Sequence, residues 1–253
     1  MFSYFNGGIK NIYPKRHIDL STLVRLIKNN PEKLKIEKVR ELRRTGMDYS
    51  TPKSYLPYIT PNCLVRIRNL KESDYNLIAP SSYIYFDIDD YPNSQKLKDR
   101  FIDEYGHLAS LICISCSGGG ISIFFKVTNI LKNENDFLIA RQYIIDNILV
   151  NEKIDTNAGG IARAMFISSD PDLFYNYENE LDIPVELFKK GRNKEDKCRL
   201  EEKKPKTTMI RIHCAPQEPF IPIPIKEVLE QLILETPVNV KNPVVDYNEV
   251  NYV

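Results

Sequence analysis

Three acids carry the chemistry in this chain. Asp87 and Asp89 close the apolar run "YIYFDIDDYP" (residues 83–92), and Asp155 opens "DTNAGGIAR" further on. In a strand, side chains alternate faces, so Tyr83, Tyr85, Asp87 and Asp89 share one face while Ile84, Phe86, Ile88 and Asp90 share the other. Residues two apart on a strand lie about 7 Å apart, close enough for both carboxylates to reach one divalent ion or a pair of ions. The same pattern also fits a strand that runs out into a solvated, Asp-rich turn before Pro92.

The other polar groups sit downstream. "ISCSGGGISIFF" (114–125) places Ser115 and Ser117 before Gly118, Gly119 and Gly120. Consecutive glycines let backbone N–H groups converge on phosphate oxygens, with the two hydroxyls as further donors; a plain glycine-rich hairpin turn is the other reading. No G-K-[ST] follows, so this is not a Walker A loop. Asp155 precedes a glycine-containing turn and a strand that begins at Arg163. Three carboxylates, a glycine nest and an arginine on one sheet face would suit metal-assisted phosphoryl transfer: ions polarise the α-phosphate and acidify a 3′-hydroxyl, and cations and amides hold the triphosphate.

The elements that must position these groups follow from periodicity. Residues 19–29 and 35–44 read as amphipathic helices, and an irregular stretch with Pro52, Pro57 and Pro61 follows. Next come a strand at 83–89, a helix at 94–105, a strand at 109–115, the glycine turn, a strand at 121–127, a helix at 134–148 and a strand at 163–168. The order β-α-β-β-α-β predicts an α+β fold with a ferredoxin-like (RRM-like) sheet whose helices cover one face and leave the other open. In that arrangement the first strand is central. Asp87 and Asp89 are then flanked by Ser122 and Lys126 on the third strand and by Arg163 on the fourth.

Residues 1–190 are expected to form one catalytic domain, with a basic N-terminal part (1–80) and the split sheet (81–190). A charged linker (191–208) and a C-terminal extension (209–253), with "IKEVLEQLILET" as a helix, complete the chain.

Composition narrows the function classes. The 253 residues are 42% hydrophobic and 27% charged, ordinary for a chain that folds. No apolar run approaches a membrane span and no secretory start is present, and five cysteines suit a reducing compartment, so a cytoplasmic location is expected. Cys113 and Cys116 form a lone C-x-x-C on opposite strand faces with no second half, which argues against a zinc or redox site.

A net charge of +1 does not describe a nucleic-acid-coating protein, but the charge is uneven. Residues 35–71 hold nine Lys/Arg against three acids, with Tyr49, Tyr55 and Tyr58 interleaved. Arg40, Arg43, Arg44, Lys53, Tyr55, Arg66 and Arg68 are accordingly candidates for phosphate neutralisation and base stacking; a solvated helix face and loop is the alternative. The only histidines are His17, His107 and His213, without the H-x-H of a relaxase. A D-x-D sugar-nucleotide transferase fits poorly with the basic, Tyr-rich N-terminal stretch.

"YFDID", "SCSGGGISIFF" and "KIDTNAGGIARAMFISSDPDLFYN" together resemble the three motifs of the archaeo-eukaryotic primase superfamily, in order and spacing. "SYFNG", "KSYLPYITPNC" and "SSDPDLFYN" are similar to its virulence-protein-E amino-terminal branch, found in mobile elements and often fused to helicases. The likeness covers roughly residues 3–180. It implies a primase-polymerase fold, DNA primase or polymerase activity with Mg²⁺ or Mn²⁺ held by Asp87, Asp89 and Asp155, and a nucleotide held by Ser115, Ser117, Gly118, Gly119, Gly120, Ser122, Lys126 and Arg163. It also implies a single-stranded DNA template, NTPs or dNTPs as substrates and a helicase domain or protein as partner. The sequence departs from the pattern at Ser122, where the superfamily usually has histidine. A degenerate, non-catalytic domain that binds single-stranded nucleic acid or a replication partner is the competing reading.

Overall fold

The computed structural model describes residues 1–68, 76–89, 91–154 and 159–189. The chain divides into Met1–Lys204 and Pro205–Val253. The second unit, the linker and extension expected at 191–208 and 209–253, the helix expected at 225–236, and Asp155 all lie outside the described residues.

The protein is α+β, built on antiparallel sheets. Its described elements are β1 (Phe2–Phe5), β2 (Arg16–Ile18), α1 (Leu20–Lys28), α2 (Lys33–Arg44), α3 (Ser50–Lys53), β3 (Tyr58–Thr60), β4 (Cys63–Val65), β5 (Leu77–Pro80), β6 (Tyr83–Ile88), α4 (Ser94–Tyr105), β7 (Leu111–Ile114), β8 (Ile121–Lys126), α5 (Glu134–Asn147), β9 (Met165–Phe166) and β10 (Phe174–Tyr175). Three of the helices, α1, α4 and α5, begin at side-chain caps: Asp19, Asn93 and Asn133 accept from the backbone N–H three residues on, at Thr22, Lys96 and Asp136.

The central sheet runs β10-β7-β8-β6. β6 and β7 both pair antiparallel with β8 between them, and α4 makes the crossover, which is the β-α-β-β portion of the expected order. The fourth strand departs from expectation. Met165 and Phe166 pair with β3 in a separate sheet, order β2-β1-β3-β9, so among the described residues β6 is an edge strand flanked by β8 alone. A strand of two residues carries too little pairing to dictate its own neighbour, and β3 offers it a buried site beside Tyr58. The exposed edge of β6 is satisfied by a side chain instead: buried Asn62 accepts from the Tyr85 N–H at 2.9 Å.

Both faces of the central sheet are covered. Leu97 and Phe101 of α4 and Phe137, Ala140 and Ile144 of α5 pack on Ile84, Phe86, Ile112, Ile123 and Phe125. On the face expected to be open, Leu20, Leu23, Val24 and Ile27 of α1 join Phe2 and Ile59 over Tyr85, Leu111, Cys113 and Phe124. Burial on both faces explains why "YIYF", "LICI" and "ISIFF" read as near-continuous apolar runs. The end of the sheet that carries Asp87 and Ser122 opens on a cavity.

A buried ion pair ties the crossover helix to the segment after β9. The Lys98 ammonium bonds both oxygens of Asp170, at 3.0 and 3.1 Å, and the Asp172 carbonyl, while Asp170 also accepts from the Ile114 N–H.

Candidate functional site

Asp87 stands opposite Ser122 across the β6–β8 ladder, and Ser122 stands opposite Cys113 on β7, so the three share one row of the sheet. The row ends at a cavity of about 260 Å³. Its walls come from four places: Tyr85, Asp87 and Ser122 from the sheet; Ser115, Cys116 and Ser117 from the glycine turn; Lys53 from α3; and Arg68 and Arg163–Phe166 from the segments beside the first sheet. Three cations and one carboxylate therefore line the same space.

Asp87 is poorly compensated. Its Oδ1 is buried without a hydrogen-bond partner, and the Arg163 guanidinium lies 3.9 Å from Oδ2. Burial, then repulsion from Asp89, pushes its carboxyl up to about 6, against the pull of Arg163 and Lys53. Asp89 follows the last residue of β6 and is exposed, so the pair spans the boundary between sheet and solvent. An orphaned carboxylate oxygen beside a second carboxylate fits a divalent cation; among the described residues no group of three or more His, Cys, Asp and Glu is arranged to hold one.

The other cavity groups have defined seats. Arg68 donates to the Ala162 carbonyl at 3.0 Å and lies over the Tyr58 ring, and the Lys53 ammonium sits 5.4 Å from the centre of the Phe166 ring. The Ser115 and Ser117 hydroxyls are 3.3 Å apart, and the Tyr85 hydroxyl is 3.4 Å from that of Ser122. Burial holds the Cys116 thiol protonated, up to about 11, and raises Cys113 as well, so neither acts as a thiolate.

The three glycines make a close-packed turn. The Gly118 N–H is spent on the Ser115 carbonyl, and the Gly120 carbonyl accepts from Ser115 N–H, closing a tight hairpin. A Cβ on Gly120 would lie 1.9 Å from the Ile88 carbonyl oxygen, and one on Gly119 would strike the Arg43 guanidinium. Close approach is what requires glycine here. Of this turn, Ser115, Cys116 and Ser117 line the cavity.

Lys126 does not line this cavity. It pairs with Tyr83, four residues along β6 from Asp87, and its ammonium is bound to Glu180. Even spacing on a strand face gives the direction of a side chain but not its distance from a site. The basic N-terminal stretch is also divided. Lys53 and Arg68 enter the cavity; Arg40, Arg43 and Arg44 lie on the far side of the glycine turn; Tyr55 and Arg66 are exposed and line neither space. Tyr85, Cys116 and Phe166 complete the cavity. Tyr85 shares its strand face with Asp87, and that alternation is the signal that pointed to it.

Fold and cavity thus define an α+β protein with a cationic pocket around a half-buried carboxylate. Residues 51–175 match the family model described as the BT4734-like, N-terminal domain, a span that runs from α3 to β10 and covers just under half of the chain. No curated protein and no solved structure matches the chain. Among the described residues no helix is long and apolar enough to cross a membrane.

Proposed function

We propose that this chain is a metal-dependent, template-directed nucleotidyltransferase, a primase-polymerase domain acting in the replication of a mobile element, phage or plasmid. The observation that carries this reading is the unpartnered Asp87 oxygen at the wall of a cavity into which Lys53, Arg68 and Arg163 converge. A triphosphate is the polyanion such a cavity suits. At about 260 Å³ it is smaller than the roughly 300–1,000 Å³ of pockets that enclose whole ligands, which suits a triphosphate and sugar with the base left outside to pair with a template.

Asp87 and Asp89, with Asp155 as the third acid implied by the sequence motifs, would hold Mg²⁺ or Mn²⁺. When bound, the ion supplies charge for the α-phosphate and a lower pKa for the attacking 3′-hydroxyl. Lys53, Arg68 and Arg163 offset the charge that builds on the departing pyrophosphate. Ser115, Ser117 and Ser122 donate neutral hydrogen bonds and orient the phosphates. Phe166 and Met165 wall off water, which strengthens those charges.

The non-catalytic reading, a domain that only binds nucleic acid or a replication partner, draws on Ser122. A buried serine hydroxyl offers no charge where a histidine would, and charge-assisted hydrogen bonds are roughly twice as strong as neutral ones.

The deciding experiment is incorporation of labelled NTPs and dNTPs on a single-stranded template, with and without a primer, in Mg²⁺ or Mn²⁺. The reading expects metal-dependent products that Asp87→Asn abolishes while the variant stays folded. Products that survive in the variant refute the metal assignment, and no products under any condition leave the binding role.

A further inference from the structure

A second basic concavity lies behind the serine-glycine turn. It measures about 290 Å³, between α2 and the start of α4, and Ser117 forms part of its wall as well as part of the nucleotide cavity's. Arg40, Arg43 and Arg44 fall at helical spacings of three and four, so one face of α2 presents all three to this space. Ser94, the first residue of the twelve-residue α4, lies opposite them, which adds the positive end of a helix dipole. Glu37 is the single carboxylate in the lining, and Lys33 lies 3.8 Å from it.

The three arginines have separate tasks. Arg40 is a positioning residue: one nitrogen donates to the Ser115 carbonyl, the Ser168 hydroxyl and the Ser169 carbonyl, which seats α2 against the turn. Its Nε is buried without a partner. Arg43 lays its guanidinium over Gly119, and Arg44 is solvent-exposed.

Resting on the nucleotidyl-transfer reading for the reaction it serves, we propose that this groove is a second phosphate site, distinct from the nucleotide cavity, that binds a phosphate of the nucleic-acid strand. Two phosphate sites that share one thin wall allow a nucleotide and a strand to be held at the same time. The phosphate comes from one of two sources, a strand's 5′ end or an internal phosphodiester, and the chemistry of recognition is the same: planar guanidinium donors on a tetrahedral anion at a helix N-terminus.

The test is fluorescence anisotropy with single-stranded DNA labelled at its 3′ end and carrying either a 5′-triphosphate or a 5′-hydroxyl. The Arg43→Ala/Arg44→Ala double variant is expected to bind about tenfold more weakly, with a log–log salt slope flatter by about 0.7 for each phosphate that is no longer neutralised. Nucleotide affinity, measured separately by calorimetry, is expected to stay within about twofold, because neither residue lines the cavity. A loss confined to the 5′-triphosphate strand assigns the site to a chain end; an equal loss on both strands assigns it to an internal phosphodiester.

Strand affinity and salt slope unchanged in the double variant overturn the proposal. If that variant does not fold, Glu37→Gln decides: loss of the only lining carboxylate is expected to tighten strand binding about twofold, and unchanged affinity overturns the site. A wild-type protein that binds the strand through these arginines yet incorporates no nucleotide refutes the catalytic reading and leaves the phosphate site standing.

Discussion

Asp87→Asn is expected to stabilise the metal-free protein, and to do so only at neutral and alkaline pH. The native carboxyl titrates at about 6, against 3.8 for an unperturbed aspartate, because burial and Asp89 oppose its ionisation. An acid whose folded pKa lies above its unfolded value binds its proton more tightly in the native state, so ionisation costs stability. That cost is absent well below pH 3.8, grows between pH 3.8 and 6, and is level above 6. The full shift corresponds to about 3 kcal/mol at pH 8. The side chain is 19% exposed with Arg163 nearby, which brings the expected gain to about 2 kcal/mol, or roughly 4–8 °C in Tm. At pH 5 about half of it remains, and near pH 3 wild type and variant should melt together. Differential scanning calorimetry of both proteins from pH 3 to 8, in chelator and then in millimolar Mg²⁺ or Mn²⁺, measures all of this. Added cation should raise the Tm of wild type and leave Asp87→Asn where it was. A difference of equal size at pH 4 and pH 8, or a more stable wild type at pH 8 without metal, refutes the claim that Asp87 is an undercompensated carboxylate awaiting a cation.

Lys53→Ala should weaken nucleotide binding about tenfold in calorimetry, while Lys126→Ala, whose ammonium is held by Glu180, should leave it within about twofold. Gly120→Ala should cost more than about 3 kcal/mol in urea unfolding, since its Cβ would overlap the Ile88 carbonyl of the neighbouring strand; a loss below about 1 kcal/mol would show that the β6–β8 register relaxes freely. Lys98→Met should cost about 3–5 kcal/mol by stranding the Asp170 carboxylate in the core, and Asp170→Asn in the same background should recover part of it.

The β-α-β-β unit and the helices on either side of it, α1 and α5, were legible because each carries enough signal of its own. Leu20, Leu23, Val24 and Ile27 repeat at helical spacing, Asn93 and Asn133 cap where helices begin, and Ser122, Phe124 and Lys126 alternate with Ile121, Ile123 and Phe125. The first sheet was not legible. Its strands hold two to four residues, too few for alternation to stand out, and it is assembled from segments as distant as Phe2 and Met165. Covering of the second sheet face by α1 was written in the unbroken apolar runs, which fit a strand buried on both sides better than one with an open face. At the site, alternation brought Asp87 and Ser122 together correctly. It did not separate Lys53 and Arg68 from the other basic residues, because a proline-punctuated segment has no period from which to read a side chain's direction.

The pairing of β9 with β3 has a consequence for the order in which the protein is made. During synthesis β6, α4, β7 and β8 are complete by residue 126, and their ladder joins segments close together in the chain. The last strand of the N-terminal sheet comes only with Met165 and Phe166, more than a hundred residues after Tyr58, and the Arg40 clasp waits for Ser168 and Ser169. Pairings of such long sequence separation are slow to form. A fragment that ends near residue 150 therefore contains every strand of the β6–β8–β7 ladder that sets Asp87 opposite Ser122, but lacks the wall made by Arg163–Phe166. The pocket comes last, so a product truncated there presents the acidic pair with Lys53 and Arg68 but without Arg163, the cation nearest Asp87.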